Sequence, residues 1–195
     1  MKNVAVFFGG MTVEHDVSIV TGLQLIENID KSKYNVIPIY ISRDGDWFTG
    51  EKLLKTEYYA NFDPTDADLT RVYLPANTRT RQLYSFRAKK KMFKMDNRLA
   101  KIDVAIPAMH GMNGEDGTLQ GLLQLADIPF TSSGVLGSAV GMDKILMKAA
   151  FAGAGLPVLP YHYFERGAWE SDKETVLNEI EAKLGYPVIV KPANL

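Results

Sequence analysis

The sequence predicts an α/β protein: an N-terminal parallel-sheet domain of the Rossmann-like kind, followed by the start of a second, α+β unit. Three observations carry that expectation. The opening residues set two short apolar runs around a helical stretch, which is the pattern of a βαβ unit. Two apolar runs end in glycine-rich polar loops that then open helices, where α/β sheets place their ligands. The 195 residues, 46% hydrophobic and 23% charged, suffice for one large or two small domains.

The elements follow in order. Val4-Ala5-Val6-Phe7-Phe8, closed by Gly9-Gly10, predicts a buried strand. Residues 14–28 carry Val17, Val20, Leu23 (with Ile19) and Ile26 at helical spacing, so that set is the expected buried face. Residues 36–41 predict a second buried strand, stopped by the turn pair Asp44-Gly45. Residues 47–99 differ: they are polar, weakly periodic and rich in turn residues. Arg79, Arg81, Arg87, Lys89, Lys90, Lys91, Lys94 and Arg98 crowd their second half, with Tyr84, Phe86 and Phe93 interleaved. Such a stretch reads as a nucleic-acid or phosphate patch, or as a solvated insertion or hairpin with one charged face. The net charge of −1 for the whole chain favours the second.

Beyond the insertion, residues 102–107 predict a strand, 118–126 a helix and 128–131 a short strand. Ser132-Ser133-Gly134 reads as a linker, and residues 138–154 as one helix ended by Gly155 and Pro157. Residues 158–164 predict a strand, and Ser171 or Asp172 caps a helix that runs to Leu184 and stops at Gly185. Pro187-Val188-Ile189-Val190-Lys191 has the composition of an interior strand. An interior strand needs neighbours on both sides, so the chain is expected to be a fragment of a longer enzyme. A domain boundary is expected near Gly134.

Several classes are set aside by composition. No apolar run approaches the roughly 20 residues of a membrane span, and Met1-Lys2-Asn3 leads into the first strand without a signal-peptide pattern. The absence of cysteine excludes disulfides, thiolate metal sites and cysteine nucleophiles. A cytoplasmic protein that binds neither nucleic acid nor membrane is the expectation.

Four constellations carry chemistry. In Gly9-Gly10-Met11-Thr12-Val13-Glu14-His15, the glycines let the backbone turn sharply and approach a ligand. Thr12 caps the helix or bonds a ligand. Glu14 either sits favourably at the helix dipole or pairs with a substrate ammonium. The dinucleotide pattern G-x-G-x-x-G is absent. His110-Gly111-Met112-Asn113-Gly114-Glu115-Asp116-Gly117 holds three glycines, an imidazole and two carboxylates. His110 is either a satisfied structural histidine or a donor or acid/base group. Asp116-Gly117 is a turn pair, whereas Glu115 is less easily explained by structure and could bind metal, position His110 or cap the helix. Asp143 and Lys144, with Lys148 one turn later, read by default as helix-surface charges. Lys191, after an apolar run, is expected to be partly buried and to need an anion such as a nucleotide phosphate. There is no P-loop.

Taken in order, these pieces resemble the D-alanine–D-alanine ligase family of ATP-grasp enzymes. The resemblance rests on residues 9–18, on His110-Gly111-Met112-Asn113-Gly114-Glu115-Asp116-Gly117 and on Thr118-Leu119-Gln120-Gly121-Leu122. It continues through Ile128-Pro129-Phe130-Thr131, Gly134-Val135, Ser138-Ala139, Met142-Asp143-Lys144 and residues 185–192. Tyr34 to Thr49 also resembles the second strand and hairpin of the family's longer members. The resemblance implies a pre-ATP-grasp substrate-binding domain over residues 1–133, with an insertion at about 50–99, and a truncated ATP-grasp central domain from 134 to 195. It implies that Glu14 binds the ammonium of the first D-alanine, that Val17, Ser18, Gly111 and Glu115 shape its pocket, and that His110 lies beside the acyl phosphate. Lys144 and Lys191 would contact nucleotide phosphates.

ATP and Mg²⁺ are implied as cofactors, with metal ligands expected beyond Leu195, D-alanine and ATP as partners, and a homodimer as the assembly. The implied product is the dipeptide for peptidoglycan synthesis. Alternatives are a ligase that joins D-alanine to D-lactate or D-serine, or a non-catalytic small-ligand-binding domain. Two departures stand out. Thr12 replaces the usual serine and keeps the hydroxyl. Ser132 replaces a more frequent glycine, which is expected to cost little. The 195 residues alone are expected to be inactive, because the ATP-covering loop, the oxyanion-stabilising arginine and the second-substrate pocket would lie further on.

Overall fold

The computed structural model describes residues 1–76, 79–91 and 94–194. Phe93 and Leu195 lie outside the described residues, as do the side chains of Lys89, Lys90, Lys91 and Lys94. The chain divides into two compact units, Met1–Ala139 and Val140–Leu195.

The first unit is a seven-stranded mixed sheet with helices on both faces. Strand β1 (Lys2–Gly9) pairs in parallel with β2 (Tyr34–Ile41) on one side and with β7 (Val104–Pro107) on the other. Between β1 and β2 runs helix α1 (His15–Asn28), which completes the expected βαβ unit. The expected short strand at residues 128–131 is a single parallel bridge from Phe130 to Ala105, on the side of β7 away from β1.

The insertion is part of the sheet rather than a solvated excursion. Strands β3 (Trp47–Thr49), β4 (Thr70–Tyr73), β5 (Gln82–Lys91) and β6 (Lys94–Lys101) continue it antiparallel beyond β2. Phe48, Leu53, Val72 and Leu83 bury their side chains in its two cores. The hairpin expectation therefore holds for β5 and β6, but the polar composition concealed these inward positions. Three of the insertion's arginines are partnered: Arg71 with Asp46, Arg81 with Asp127 and Arg98 with Asp96. That leaves less free positive charge for a nucleic-acid patch.

Alternation along β1 organises the core. Val4, Val6 and Phe8 pack with Ile19 and Ile26 of α1, while Ala5 and Phe7 pack with Leu119 and Leu123 of α2 (Thr118–Leu125). The helices that follow β1 and β7 thus cover opposite faces of the sheet. The border between β1 and β7 is the topological switch point, where the crevice of such a sheet opens at the strand carboxyl ends.

Helix α1 turns a different face to the sheet from the one its apolar residues suggest. The buried stripe is His15, Ser18, Ile19, Gly22 and Ile26. Val17 and Val20 are about half exposed. The reason is close approach: a Cβ on Gly22 would lie 2.5 Å from Cβ and Cγ of Phe8. Only small residues fit where helix meets strand at that distance, so the stripe sits one residue away from the valines.

Helix α3 (Val135–Met142) spans the division between the units, and the second unit holds α4 (Lys144–Gly153), α5 (Arg166–Ser171) and α6 (Lys173–Leu184). The single helix expected over 138–154 is two, broken at Asp143. Its carboxylate accepts from Ile145 N–H and Leu146 N–H, both at 2.9 Å, and so starts α4 as an N-cap. Asp172 caps α6 as expected, accepting from Thr175 N–H at 3.0 Å. Residues 158–164 and 187–191 are not strands; among the described residues neither finds a ladder partner. Ile189 and Val190 are 85% and 75% exposed, and Lys191 is exposed rather than partly buried, so no anion is required by burial there. No helix among the described residues is long and apolar enough to cross a membrane.

Candidate active site

Two loops meet at the switch point. The first leaves β1 through Gly9 and Gly10, whose φ angles are +88° and +109°. Gly10 N–H donates to Ile41 C=O at 2.8 Å, which ties the turn to the end of β2. Thr12 Oγ1 accepts from Glu14 N–H at 3.2 Å, an ordinary turn contact of a hydroxyl residue. Glu14 is the N-cap residue of α1, yet its carboxylate makes no capping bond. The helix-dipole account therefore does not occupy it fully. Its Oε2 lies instead against Gly111 of the second loop, 2.8 Å from the place a Cβ there would take, with Thr12 Oγ1 at 2.7 Å.

The second loop follows β7. Ala108 N–H donates to Phe7 C=O at 2.8 Å and carries the pairing with β1 one step past the strand. His110, half-buried, places Nε2 2.8 Å from Thr21 Oγ1 on α1. Gly111 adopts φ +74°, a left-handed backbone that glycine takes without strain. Its N–H donates to Glu115 Oε2 at 2.6 Å. Two carboxylates thus come to one glycine, Glu14 beside its Cα and Glu115 at its N–H. Glu115 consequently fixes the residue next to His110.

Asp116 accepts from Asn113 N–H and Thr118 N–H, both at 2.9 Å. Burial pushes its carboxyl up, but those bonds and the Thr118 hydroxyl outweigh it, and the net shift is below the ordinary range. Asp116 is thereby the turn-and-cap residue that the Asp-Gly pair suggests.

The structure brings Thr12, Glu14, His110, Gly111 and Glu115 together. Ser18 lies beneath them, fully buried: its Oγ accepts from Gly9 N–H at 2.9 Å and donates to Ala108 C=O at 3.0 Å. It orders both loops rather than facing a ligand. Val17 stands on the exposed side of α1.

In the second unit Lys144 opens α4, and its N–H donates to Ala193 C=O at 2.8 Å. An antiparallel bridge joins Asp143 to Asn194. The segment that carries Lys191 therefore ends beside the start of α4. Lys148 Nζ donates to Leu159 C=O at 3.2 Å and lies 4.9 Å from the centre of the Tyr161 ring, so it is committed within its own unit. Among the described residues no three His, Asp or Glu side chains converge to hold a metal.

Sequence reasoning missed two side chains behind these loops, His15 and Gln120. His15 is 2% exposed and contacts Gly10 O; Gln120 is equally buried and donates from Nε2 to Gly114 C=O at 2.7 Å. The available signal was positional. Each is a polar residue on the inward stripe of the helix that its loop opens.

Comparison with known proteins agrees with this geometry. A family model described as D-ala D-ala ligase N-terminus matches residues 3–133, and one described as D-ala D-ala ligase C-terminus matches residues 150–195. A D-alanine–D-alanine ligase of Macrococcus caseolyticus is 37% identical over 195 residues, covering 100% of this chain and 50% of that relative. One from Bacillus licheniformis is 39% identical over 188 residues, covering 96% and 50%. Among solved structures, the VanG D-Ala:D-Ser ligase of Enterococcus faecalis superposes with TM-score 0.75 at 34% identity, over 99% of this chain and 52% of that one. The D-alanine–D-alanine ligase of Helicobacter pylori shares the fold, with TM-score 0.78 at 23% identity, over 100% and 53%. The chain spans about half the length of the curated relatives it matches. With the N-terminal model covering most of its length and both glycine loops in register with the sheet, the chain belongs to the D-alanine–D-alanine ligase family.

Proposed function

We propose that this chain supplies the first-substrate site of an ATP-dependent ligase that joins two D-alanines. The observation that carries the proposal is the Glu14 carboxylate, unused as a cap, held against Gly111 where Glu115 also binds. Two carboxylates at one half-buried point favour a cation, and the ammonium of an amino acid is the fitting ligand. Residues 1–133 are the substrate-binding domain, and residues 134–195 the first part of the ATP-grasp central domain.

Glu14 orients the amino acid through its ammonium, and this supplies proximity for reaction at the carboxylate. His110 stands at the strand end with Nε2 held by Thr21, available to stabilise negative charge that develops near it. Lys144 and Lys191 are the candidates for nucleotide phosphates; Lys144 fits through its place at a helix start. ATP would supply the phosphoryl group that converts the carboxylate into an acyl phosphate, with ADP leaving; the amine of the second amino acid would then attack the acyl carbon and displace inorganic phosphate. Mg²⁺ is assigned no ligand among these residues. A cytoplasmic homodimer is part of the same proposal. D-serine as the second substrate is a competing acceptor, because VanG at 34% identity is described as a D-Ala:D-Ser ligase.

The test is phosphate release from Mg-ATP with and without D-alanine, for the 195 residues and for the product of the complete reading frame. Turnover confined to the longer protein is the expected result, with D-serine as a competing acceptor in the same assay. No response to D-alanine or D-serine in the longer protein overturns the ligase proposal. Turnover by the 195 residues alone overturns the expectation that they are inactive.

A further inference from the structure

The inward stripe of α1 carries two polar side chains, His15 and Ser18, where a helix ordinarily buries apolar ones. Buried polar groups must be bonded, and both are bonded to the glycine loops. Ser18 takes Gly9 N–H and Ala108 C=O. His15 places Nδ1 2.7 Å from Gly10 O and Nε2 3.1 Å from the Tyr40 hydroxyl. A carbonyl only accepts, so Nδ1 carries the proton and Nε2 accepts from Tyr40. Burial pushes the Tyr40 hydroxyl up to about 12, which keeps it a donor. A relay thus runs from Tyr40 O–H at the end of β2, through the imidazole, to the Gly10 carbonyl.

Both peptide groups that flank the Gly10 Cα are thereby held, the Gly10 N–H by Ile41 C=O and the Gly10 C=O by His15. Between Gly10 and Glu14 the turn is closed by Thr12, whose Oγ1 accepts from Glu14 N–H and whose C=O accepts from His15 N–H, while Met11 and Val13 are exposed. Glu14 takes its place from the two ends of the turn, and His15 joins those ends.

We propose that His15 is a positioning residue: by donating from Nδ1 to the Gly10 carbonyl it sets the course of the 10–14 turn and so the place of the Glu14 carboxylate against Gly111, with Tyr40 holding the imidazole in the required tautomer. The role rests on the proposal that Glu14 binds the ammonium of the substrate. His15 itself touches no substrate.

The test uses the product of the complete reading frame, with KM for D-alanine and for ATP and the thermal midpoint as readouts. His15→Gln reaches towards Tyr40 but loses the short donor to Gly10. His15→Asn keeps an amide N–H near the place of Nδ1. His15→Gln is expected to raise the D-alanine KM about tenfold with the ATP KM unchanged. His15→Asn is expected to restore it to within about threefold, although both variants lower the thermal midpoint. Tyr40→Phe, which removes only the hydroxyl, is expected to raise the same KM by an intermediate factor and serves if a His15 variant does not fold. Equal D-alanine KM values in His15→Gln and His15→Asn overturn the role, as does an unchanged KM in Tyr40→Phe. Lack of D-alanine turnover in the unsubstituted protein overturns the ligase proposal and this role together, whereas normal turnover with unmoved KM values overturns this role alone.

Discussion

The runs at residues 4–8 and 187–190 are both short, apolar and rich in β-branched residues, and they meet opposite fates. In β1, Val6, Phe7 and Phe8 are fully buried, with β2 on one side, β7 on the other and a helix over each face. At the other run, Ile189 and Val190 are exposed and no ladder forms among the described residues. Composition gives a segment the capacity to be a strand, but neighbours make it one. A strand leaves every backbone N–H and C=O to be satisfied from outside itself, whereas a helix satisfies most of its own. Helices α4 and α6 accordingly form in the same unit where both expected strands do not.

The largest effect that sharpens this comparison is a paired truncation. Phe7→Ala removes a buried ring that meets Trp47 edge-on at 5.4 Å, and is expected to cost about 3–5 kcal/mol in urea unfolding. Ile189→Ala is expected to change stability by less than about 0.5 kcal/mol. Equal losses would break the contrast. Gly22→Ala tests the close packing of α1 on β1. Alanine favours a helix by about 1 kcal/mol over glycine, yet the clash with Phe8 is expected to make the variant about 1–3 kcal/mol less stable. A stabilised variant would show that the helix can move off the strand.

Smaller effects come from local bonds, which need no distant neighbour. Asp143→Ala is expected to cost about 1 kcal/mol, seen as loss of helical circular dichroism from α4. Ser132 adopts φ +96°, a left-handed backbone that favours glycine, so a serine there carries a cost not expected from sequence. Ser132→Gly is expected to raise stability by about 1 kcal/mol.

The smallest is a pH effect in the insertion. Lys52, the Asp68 N–H and the Tyr58 hydroxyl hold the Asp66 carboxyl at about 2. That lies below its unfolded value of about 3.9. The pair's contribution is therefore complete above about pH 4 and is lost as pH falls towards 2. Acid titration of unfolding stability checks it: Lys52→Met should flatten the slope between those values.

Much of the site was legible because its residues are local in sequence. Strand, glycine pair and carboxylate within residues 4–14, and His110 with Glu115, give the two loops without reference to anything distant. Gly111 stood in the motif, but its place as the meeting point of both loops did not, because Glu14 and Gly111 lie far apart in the chain. His15 was passed over because periodicity counts apolar residues, and this helix buries a histidine, a serine and a glycine instead. The insertion looked solvated because Phe48, Leu53, Val72 and Leu83 are spread thinly among polar residues, each inward only through its strand pairing or packing.

By itself the sequence determined what is written in short range: the opening βαβ unit, the helix starts at Asp172 and Thr118, the turns at glycine, and the motifs that mark the family. Only the tertiary structure decided which face α1 buries, that the insertion joins the sheet, that Asp143 splits a helix, and which apolar runs became strands. The physical reason is that helix caps and turns close their hydrogen bonds within a few residues. Sheet pairing and close packing depend on groups that the chain brings together from far apart, and no local pattern records their distance.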